Sequence, residues 1–334
     1  MKSLPLGYEG FAMIDENTLR RWAKDLGFAK TALCRADVFE REKQIVAGQP
    51  PIRERQQLRF EPTADYAQAR SLAVLLWPYE ASPDPKNGTV FVDNYYYASN
   101  AAFHAARMLE SKLLSAGCFA KANVAYPAKE AAIRAGLGTI GRHSLLITPE
   151  YGTRVAIILM ATDIQVGKDS PANGRNTCLD CRRCIAVCPV GALDARGMSH
   201  PEKCLRNYMM EGQVVPENLR EKLGMKLIGC DLCQRVCPMQ PKKTYTPTES
   251  FTLDEFITSD QAQFAQSVAR LSSLVGRNTA RPQRVRAQAA LLAGNSRNPV
   301  YLPVLRNWAE MPFEAVCEHA RWAIGKIERE TKNA

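Results

Sequence analysis

CLDCRRCIAVCP at residues 178–189 and CDLCQRVCP at residues 230–238 are the two runs on which the reading of this chain turns. The first has the pattern C-x2-C-x2-C-x3-C-P, the bacterial ferredoxin spacing for a cubane [4Fe–4S] cluster. Cys178, Cys181 and Cys184 sit on a tight loop and reach three irons of one cube. Cys188, followed by chain-turning Pro189, points away and serves a different cluster. The second run has only three cysteines, and Cys204, between the runs, supplies the fourth thiol. The ferredoxin crossing rule then assigns Cys178, Cys181, Cys184 and Cys237 to one cluster, and Cys188, Cys204, Cys230 and Cys233 to the other. Two clusters with crossed ligands lie close together, so an electron can pass between them. Structural zinc instead takes two separated C-x2-C pairs or mixed Cys and His ligands. No histidine lies in either run, and the nearest is His200.

The whole chain has 334 residues, 46% of them hydrophobic and 23% charged, with a mean hydropathy of −0.26. These are the proportions of a globular protein of two or three domains. Its longest unbroken apolar stretch, Val155 to Ala161, is far short of the roughly 20 residues of a membrane helix. The opening MKSLPLGYEGFAMIDENTL carries Asp and Glu where a signal peptide has its apolar core, so a cytoplasmic protein with no membrane partner is expected. Cys34, Cys118 and Cys317 are scattered, and the other cysteines fall between 178 and 237. Thiols stay reduced in that compartment, so clustered cysteines point to metal and not to disulfides.

Working outward, helices are expected over Asp15–Leu26, Asp37–Ala47 and 98–116, with a short one opening at Pro127, and strands over Leu72–Trp77, Ser144–Ile147 and Val155–Ala161. Helices alternating with apolar strands make the N-terminal part an α/β domain. GLGTIG at 136–141 contains G-x-G-x-x-G, but it follows a helix and has no βαβ context, so a dinucleotide site is not expected. Close backbone approach to a large flat cofactor is the better use of Gly136, Gly138 and Gly141. After a polar linker, Pro238 to Thr248, the stretches Val285–Leu292, Tyr301–Trp308 and Ala315–Ile327 suggest a HEAT-like helical repeat pair. The expected architecture is therefore α+β and multidomain: an α/β cofactor domain (1–168), a ferredoxin-like double-cluster domain (169–245) and a HEAT-like helical domain (246–334). Net charge is +10, and residues 270–334 hold eleven Lys or Arg against five acids. The RPQRVR group at 281–286 suits phosphate contacts, or alternatively forms a solvated, solubilising face.

These residues resemble the epoxyqueuosine reductases, above all in LREKLGMKLIGCDLCQRVCP (219–238). The resemblance extends to RAGLGTIGRHSLLITPEYG (134–152), and to RVRAQAALLAGN (284–295) and EHARWAIGKI (318–327) in the tail. It implies two [4Fe–4S] clusters and a cobalamin, with tRNA met by the basic C-terminal domain and electrons delivered by a flavodoxin or ferredoxin. It also implies that the glycines at 136, 138 and 141 admit the corrin ring, and that Arg142, His143 and Ser144 hydrogen-bond its arms. For Arg142 and Ser144, a surface ion pair and a strand hydroxyl are the plainer alternatives.

Departures from the family pattern are equally specific. The family's proton-donating Asp belongs upstream of A-G-L-G, but the stretch ANVAYPAKEAAIRAGLG (122–138) has none. Ala102 stands where the family has an Asp before its aromatic–His pair, here Phe103-His104, and G-[KR]-N reads Gly141-Arg142-His143. Tyr126 lies nearest to the missing acid and His104 is the second candidate donor, each with a packing role as the alternative. The implied activity is reduction of epoxyqueuosine to queuosine in tRNA. Loss of the Asp also suits a reductase of the same scaffold acting on a small molecule, and an electron-transfer or corrinoid-activating protein is the third reading.

Overall fold

The computed structural model describes residues 14–49, 52–86, 88–166, 178–194, 200–240 and 249–332. Most of the polar linker expected over 238–248 lies outside the described residues. The described strands are β1 (Lys30–Arg35), β2 (Ser71–Pro78), β3 (Thr89–Val92), β4 (Ala120–Ala122), β5 (Thr139–Ile140), β6 (Leu146–Ile147), β7 (Val155–Thr162), β8 (Lys226–Ile228) and β9 (Phe251–Thr252).

The main sheet has the order β1-β2-β7-β4 and every pairing in it is antiparallel, with Val74 opposite Leu159 at its centre. Helices and strands do alternate along the N-terminal part, but its α/β label is corrected in one respect, since the sheet is antiparallel, with helices on both faces. That covering explains the continuous apolar run of β2, because successive side chains point to opposite faces and both faces are buried. Ala73 and Leu75 meet Leu109 and Leu113 of the helix Asn94–Ser115 and Leu19 of the helix Glu16–Asp25. Leu72, Val74 and Leu76 meet Phe39, Tyr126 and the helix Ala128–Arg134. The carboxylate of Asp15 accepts the Thr18 amide at 2.8 Å and starts the first helix where the sequence placed it.

A second sheet, β8-β3-β9, takes one strand from each of the three stretches that the sequence separated into domains. β3 runs parallel to β8 and antiparallel to β9. Val90 and Val92 of β3 share one apolar core with Leu227 of β8, Phe251 of β9 and the C-terminal helices. The cluster segment is therefore fastened to the rest of the chain by backbone pairing as well as by packing.

The C-terminal part contains the helices Gln261–Val275, Pro282–Ser296, Leu302–Trp308 and Glu314–Thr331. Pro282–Ser296 is central and is buried continuously from Val285 to Gly294. At Gly294 a Cβ would lie 2.6 Å from the Trp322 ring, so a glycine there lets the last helix close in. The helix Gln261–Val275, not foreseen in the sequence, lies against Asn94–Ser115, where Asn100 Nδ2 donates to the Ser273 carbonyl at 3.1 Å. Among the described residues, no helix is long and apolar enough to cross a membrane.

His319 is fully buried between these helices. Its Nε2 accepts the Val215 amide at 2.9 Å, and Nδ1 lies 2.9 Å from the Ala287 carbonyl, which fixes Nδ1 as the protonated nitrogen. Burial lowers its pKa to about 4 from the ordinary 6.5. Between those values the unfolded chain binds the proton and the folded chain does not, so this residue's contribution to stability is lost as pH falls. Urea unfolding is expected to show a loss of about 2 kcal/mol from this residue between pH 7 and pH 5. The measurement is the difference in pH dependence between the native protein and His319→Gln, and identical dependence in the two contradicts it.

Candidate redox site

The loop carrying the first cysteine run bends through two non-glycine residues in the left-handed region, Asp180 (φ 52°) and Arg182 (φ 56°). Each such residue costs about 1–2 kcal/mol. The bend brings Cys178 and Cys181 to the same small cavity as Cys184, which sits in the first turn of the short helix Arg183–Val187. That helix packs on Leu232–Arg235, which carries Cys233 and leads to Cys237. Cys204 caps the start of the helix Leu205–Glu211, and Cys230 directly follows β8 and Gly229.

The eight thiols form two quartets. Cys178, Cys181, Cys184 and Cys237 together line a small cavity of about 20 Å³. Cys188, Cys204, Cys230 and Cys233 line another, of about 490 Å³. Charge interactions run within each quartet, as between Cys184 and Cys237 or Cys204 and Cys188, and Cys184 also senses Cys233 across the gap. Burial pushes the Cys230 thiol up to about 11 and raises that of Cys233 further, so neither ionises at neutral pH without a bound metal. Among the described residues, no group of three Cys, His, Asp or Glu side chains is gathered for a single metal ion. A tetrahedral zinc needs its sulfurs about 4 Å apart, whereas a cubane spreads them wider. Donor chemistry and arrangement both fit two [4Fe–4S] clusters.

The larger cavity has the cluster thiols on one wall and the N-terminal sheet region on the other. Its volume lies in the range of cofactor sites. Leu145, Leu146, Val155 and Ile157 give it an apolar wall, while Ser144, Thr153, Asn207 and Gln234 offer hydrogen-bonding groups. A flat macrocycle with amide arms fits that combination. Tyr79 is on the lining, with Gln234 Nε2 donating to its hydroxyl at 3.1 Å, and burial raises its pKa well above the usual value. Asp93, also on the lining, accepts the Tyr95 amide at 3.0 Å and caps the helix Asn94–Ser115. Burial, followed by the nearby charge of Asp231, raises the Asp93 carboxyl to about 7.

The residues singled out from sequence fall in several places. His143 and Ser144 line the large cavity, and His143 and Arg142 line the small one. His143 is neutral, its pKa lowered to about 4 by burial. Arg142 pairs with Asp180 through both its Nε and Nη2, tying the glycine loop to the first cysteine run. Gly136, Gly138 and Gly141 lie off the cavity lining. A Cβ at Gly138 would come 2.3 Å from the Ile147 carbonyl, and one at Gly141 would meet the His143 ring at 2.5 Å. These two glycines thus serve the β5–β6 hairpin, while Gly136 (φ 71°) ends the preceding helix.

Tyr126 is also away from the cavity. Its hydroxyl donates to Asp65 at 2.8 Å and its ring stacks on Phe39 in the core. His104 is exposed on its helix beside Phe103. Sequence reasoning missed Tyr79, Asp93 and Gln234. Only Gln234 had a signal, its place inside CDLCQRVCP; Tyr79 and Asp93 are distant in sequence and meet the cysteines only through the fold.

The basic stretch also resolves into parts. Arg297, Arg306 and Arg321 pair with Glu330, Glu328 and Glu318. Arg286 turns inward, with its guanidinium 4.1 Å from the Phe264 ring centroid, which removes it from the expected phosphate group. Arg281 and Arg284 both donate to Asn278, at 3.1 and 2.9 Å, next to exposed Arg277.

Comparison with known proteins adds three findings. A family described as a 4Fe-4S double cluster binding domain matches residues 177–240. Curated relatives are epoxyqueuosine reductases: the protein of Lactococcus garvieae is 30% identical over 211 residues, covering 59% of this chain and 57% of the relative. That of Listeria monocytogenes is 42% identical over 105 residues, 31% and 27% of the two chains. That of Aliivibrio fischeri is 26% identical over 270 residues, 70% and 69%. The matched part thus spans little more than half of the first relative and about a quarter of the second. In fold, the Bacillus subtilis epoxyqueuosine reductase superposes with a TM-score of 0.78 at 23% identity, covering 93% of this chain and 90% of that one.

Because Cys204 belongs geometrically to the cavity-side quartet, Cys204→Ala is expected to lose about half of the iron and sulfide and keep the other cluster. Metal analysis of anaerobically purified protein checks this. Full retention of iron contradicts the grouping.

Proposed function

We propose that the chain is a member of the epoxyqueuosine reductase family, a cobalamin-dependent, two-cluster reductase converting epoxyqueuosine to queuosine in tRNA. The observation that carries the proposal is the cavity of about 490 Å³ whose one wall is Cys188, Cys204, Cys230 and Cys233. These four thiols would hold a cluster at the cavity's edge, so a redox group bound in the cavity would lie beside its source of electrons. In this reading the first cluster is held by Cys178, Cys181, Cys184 and Cys237. Cys181 is exposed, so a flavodoxin- or ferredoxin-class carrier delivers electrons at that end. Cobalamin, when bound, supplies a strongly nucleophilic reduced cobalt.

The chain's own residues bind, orient and supply the proton. The apolar wall from Leu145 to Ile157 excludes water from one side of the cavity, and Ser144 and Gln234 offer hydrogen bonds to amide arms. With the family's Asp absent and Tyr126 packed away, the cavity's own hydroxyl and carboxyl, Tyr79 and Asp93, are the groups placed to give a proton to the leaving oxygen. The helices from 261 to 331 form the HEAT-like part, and Arg277, Arg281 and Arg284 contact tRNA phosphates. An epoxyqueuosine reductase of the same fold has been solved with an epoxyqueuosine-modified tRNA stem loop, which supports that substrate. A cytoplasmic enzyme is the corresponding location.

An anaerobic assay on epoxyqueuosine-containing tRNA, with clusters and cobalamin loaded, is expected to yield queuosine. Unchanged tRNA overturns the substrate and favours a small-molecule reductase on the same scaffold. In that assay Tyr79→Phe is expected to reduce turnover at least about tenfold with iron content intact, whereas Tyr126→Phe leaves it unchanged. Equal loss in the two variants contradicts the proton assignment. Replacing Arg277 and Arg281 with Ala is expected to weaken tRNA binding and lower its salt slope by about two. An unchanged slope removes these arginines from the interface.

A further inference from the structure

Arg154 is a buried cation that the mechanism above does not use. It stands just before β7 and is 4% exposed, and its Nη2 meets no hydrogen-bond partner among the described residues. No carboxylate among the described residues forms an ion pair with it. An enclosed guanidinium without an anion is unfavourable, so its surroundings bear on what balances it. The preceding residues pack on the end of the second cysteine run: a Cβ at Gly152 would lie 2.5 Å from the Met239 carbonyl, and Gln240 hydrogen-bonds Thr153. On the other side the Arg154 carbonyl accepts the Tyr79 amide at 3.0 Å. Arg154 is thus anchored at a strand end that packs against Met239 and Gln240, and its positive charge favours the ionised forms of the Cys237 thiol and the Tyr79 hydroxyl.

Of the other arginines near this quartet, Arg183 is exposed, where solvent screens its charge, Arg142 and Arg182 share Asp180, and Arg235 is held by Asp231 and Asp84. Arg154 has no such partner among the described residues. A cubane with four thiolates carries about −2 when oxidised and one further negative charge when reduced. A fixed, desolvated cation stabilises the more negative state more strongly, because low dielectric leaves the attraction unscreened.

We infer that Arg154 is the counter-charge of the cluster held by Cys178, Cys181, Cys184 and Cys237, and that it raises the reduction potential of that entry cluster. The inference rests on the two-cluster reading of the site. The step it governs is a single electron passed from a one-electron carrier protein to the cluster: the carrier is oxidised, the cluster is reduced, and no proton moves because the guanidinium stays charged throughout. Arg154 is a positioning residue that acts through the cluster and touches no substrate.

The test is an anaerobic redox titration followed by electron paramagnetic resonance, on the full chain with clusters loaded and without cobalamin or tRNA. Arg154→Met is expected to keep its iron and to lower the ratio of reduced to oxidised entry cluster at a fixed potential by about tenfold, a shift of about 59 mV for one electron. Arg154→Lys, which keeps the charge, is expected to restore most of that ratio. The same midpoint in the native protein and Arg154→Met overturns the inference and leaves the two-cluster reading intact. If Arg154→Met does not load, Arg154→Gln and Arg154→Lys are compared, and equal midpoints in those two overturn it. A native protein without clusters overturns the two-cluster reading and this inference together.

Discussion

Thiols enclosed in protein stay protonated unless something nearby ionises them, and this constraint organises the middle of the chain. Cys230 is pushed up to about 11, and Cys233 is raised further. Bringing several such groups together would add mutual repulsion as soon as they ionised. Iron removes both difficulties, since coordination releases the protons and spreads the charge over a cluster. The loop that gathers Cys178, Cys181 and Cys184 passes through Asp180 and Arg182 in the left-handed region, a backbone cost that metal binding readily offsets.

The rest of the fold places those thiols next to a usable space. β8 ends immediately before Gly229 and Cys230, and β3, paired with it, ends immediately before Asp93. At Gly229 (φ 83°) a Cβ would come 2.5 Å from the Asp93 Cβ, so only glycine lets the two strand ends meet this closely. The cysteine that leads into the cavity and the acid on its wall are therefore set by one pair of strands. β2 and β7, the central pair of the main sheet, carry Tyr79 and Arg154 at adjoining ends. One sheet thus supplies the cavity wall and the other supplies the cluster wall.

Much of this was legible in the sequence because it was local. Cysteine spacing is local, and the two quartets follow from it without any knowledge of the fold. Helix starts such as Asp15, and the both-sides-apolar runs of β2 and β7, are local as well. What was not legible depended on distant pairing. β3, β8 and β9 are two to four residues long and have too little pattern to announce a sheet joining the three parts. The glycines of GLGTIG looked like a cofactor cradle, but their space is filled by Ile147 and His143 of their own hairpin. Tyr126 lay nearest in sequence to the missing acid, yet its ring packs on the face of the main sheet that holds Phe39. RPQRVR put its three arginines within one short run, although helical geometry directs Arg286 into the core while Arg281 stays outside.

The central claim is that the large cavity holds a corrin within electron-transfer reach of the cluster on Cys188, Cys204, Cys230 and Cys233. Electron paramagnetic resonance of anaerobic protein reconstituted with paramagnetic cobalt(II) cobalamin tests it most directly, with the clusters taken from oxidised to reduced. The account predicts a cobalt signal that broadens or splits when the adjacent cluster gains its electron, from spin coupling across a short distance. A cobalt spectrum identical to that of free cobalamin at every potential, in protein with both clusters present, would contradict it.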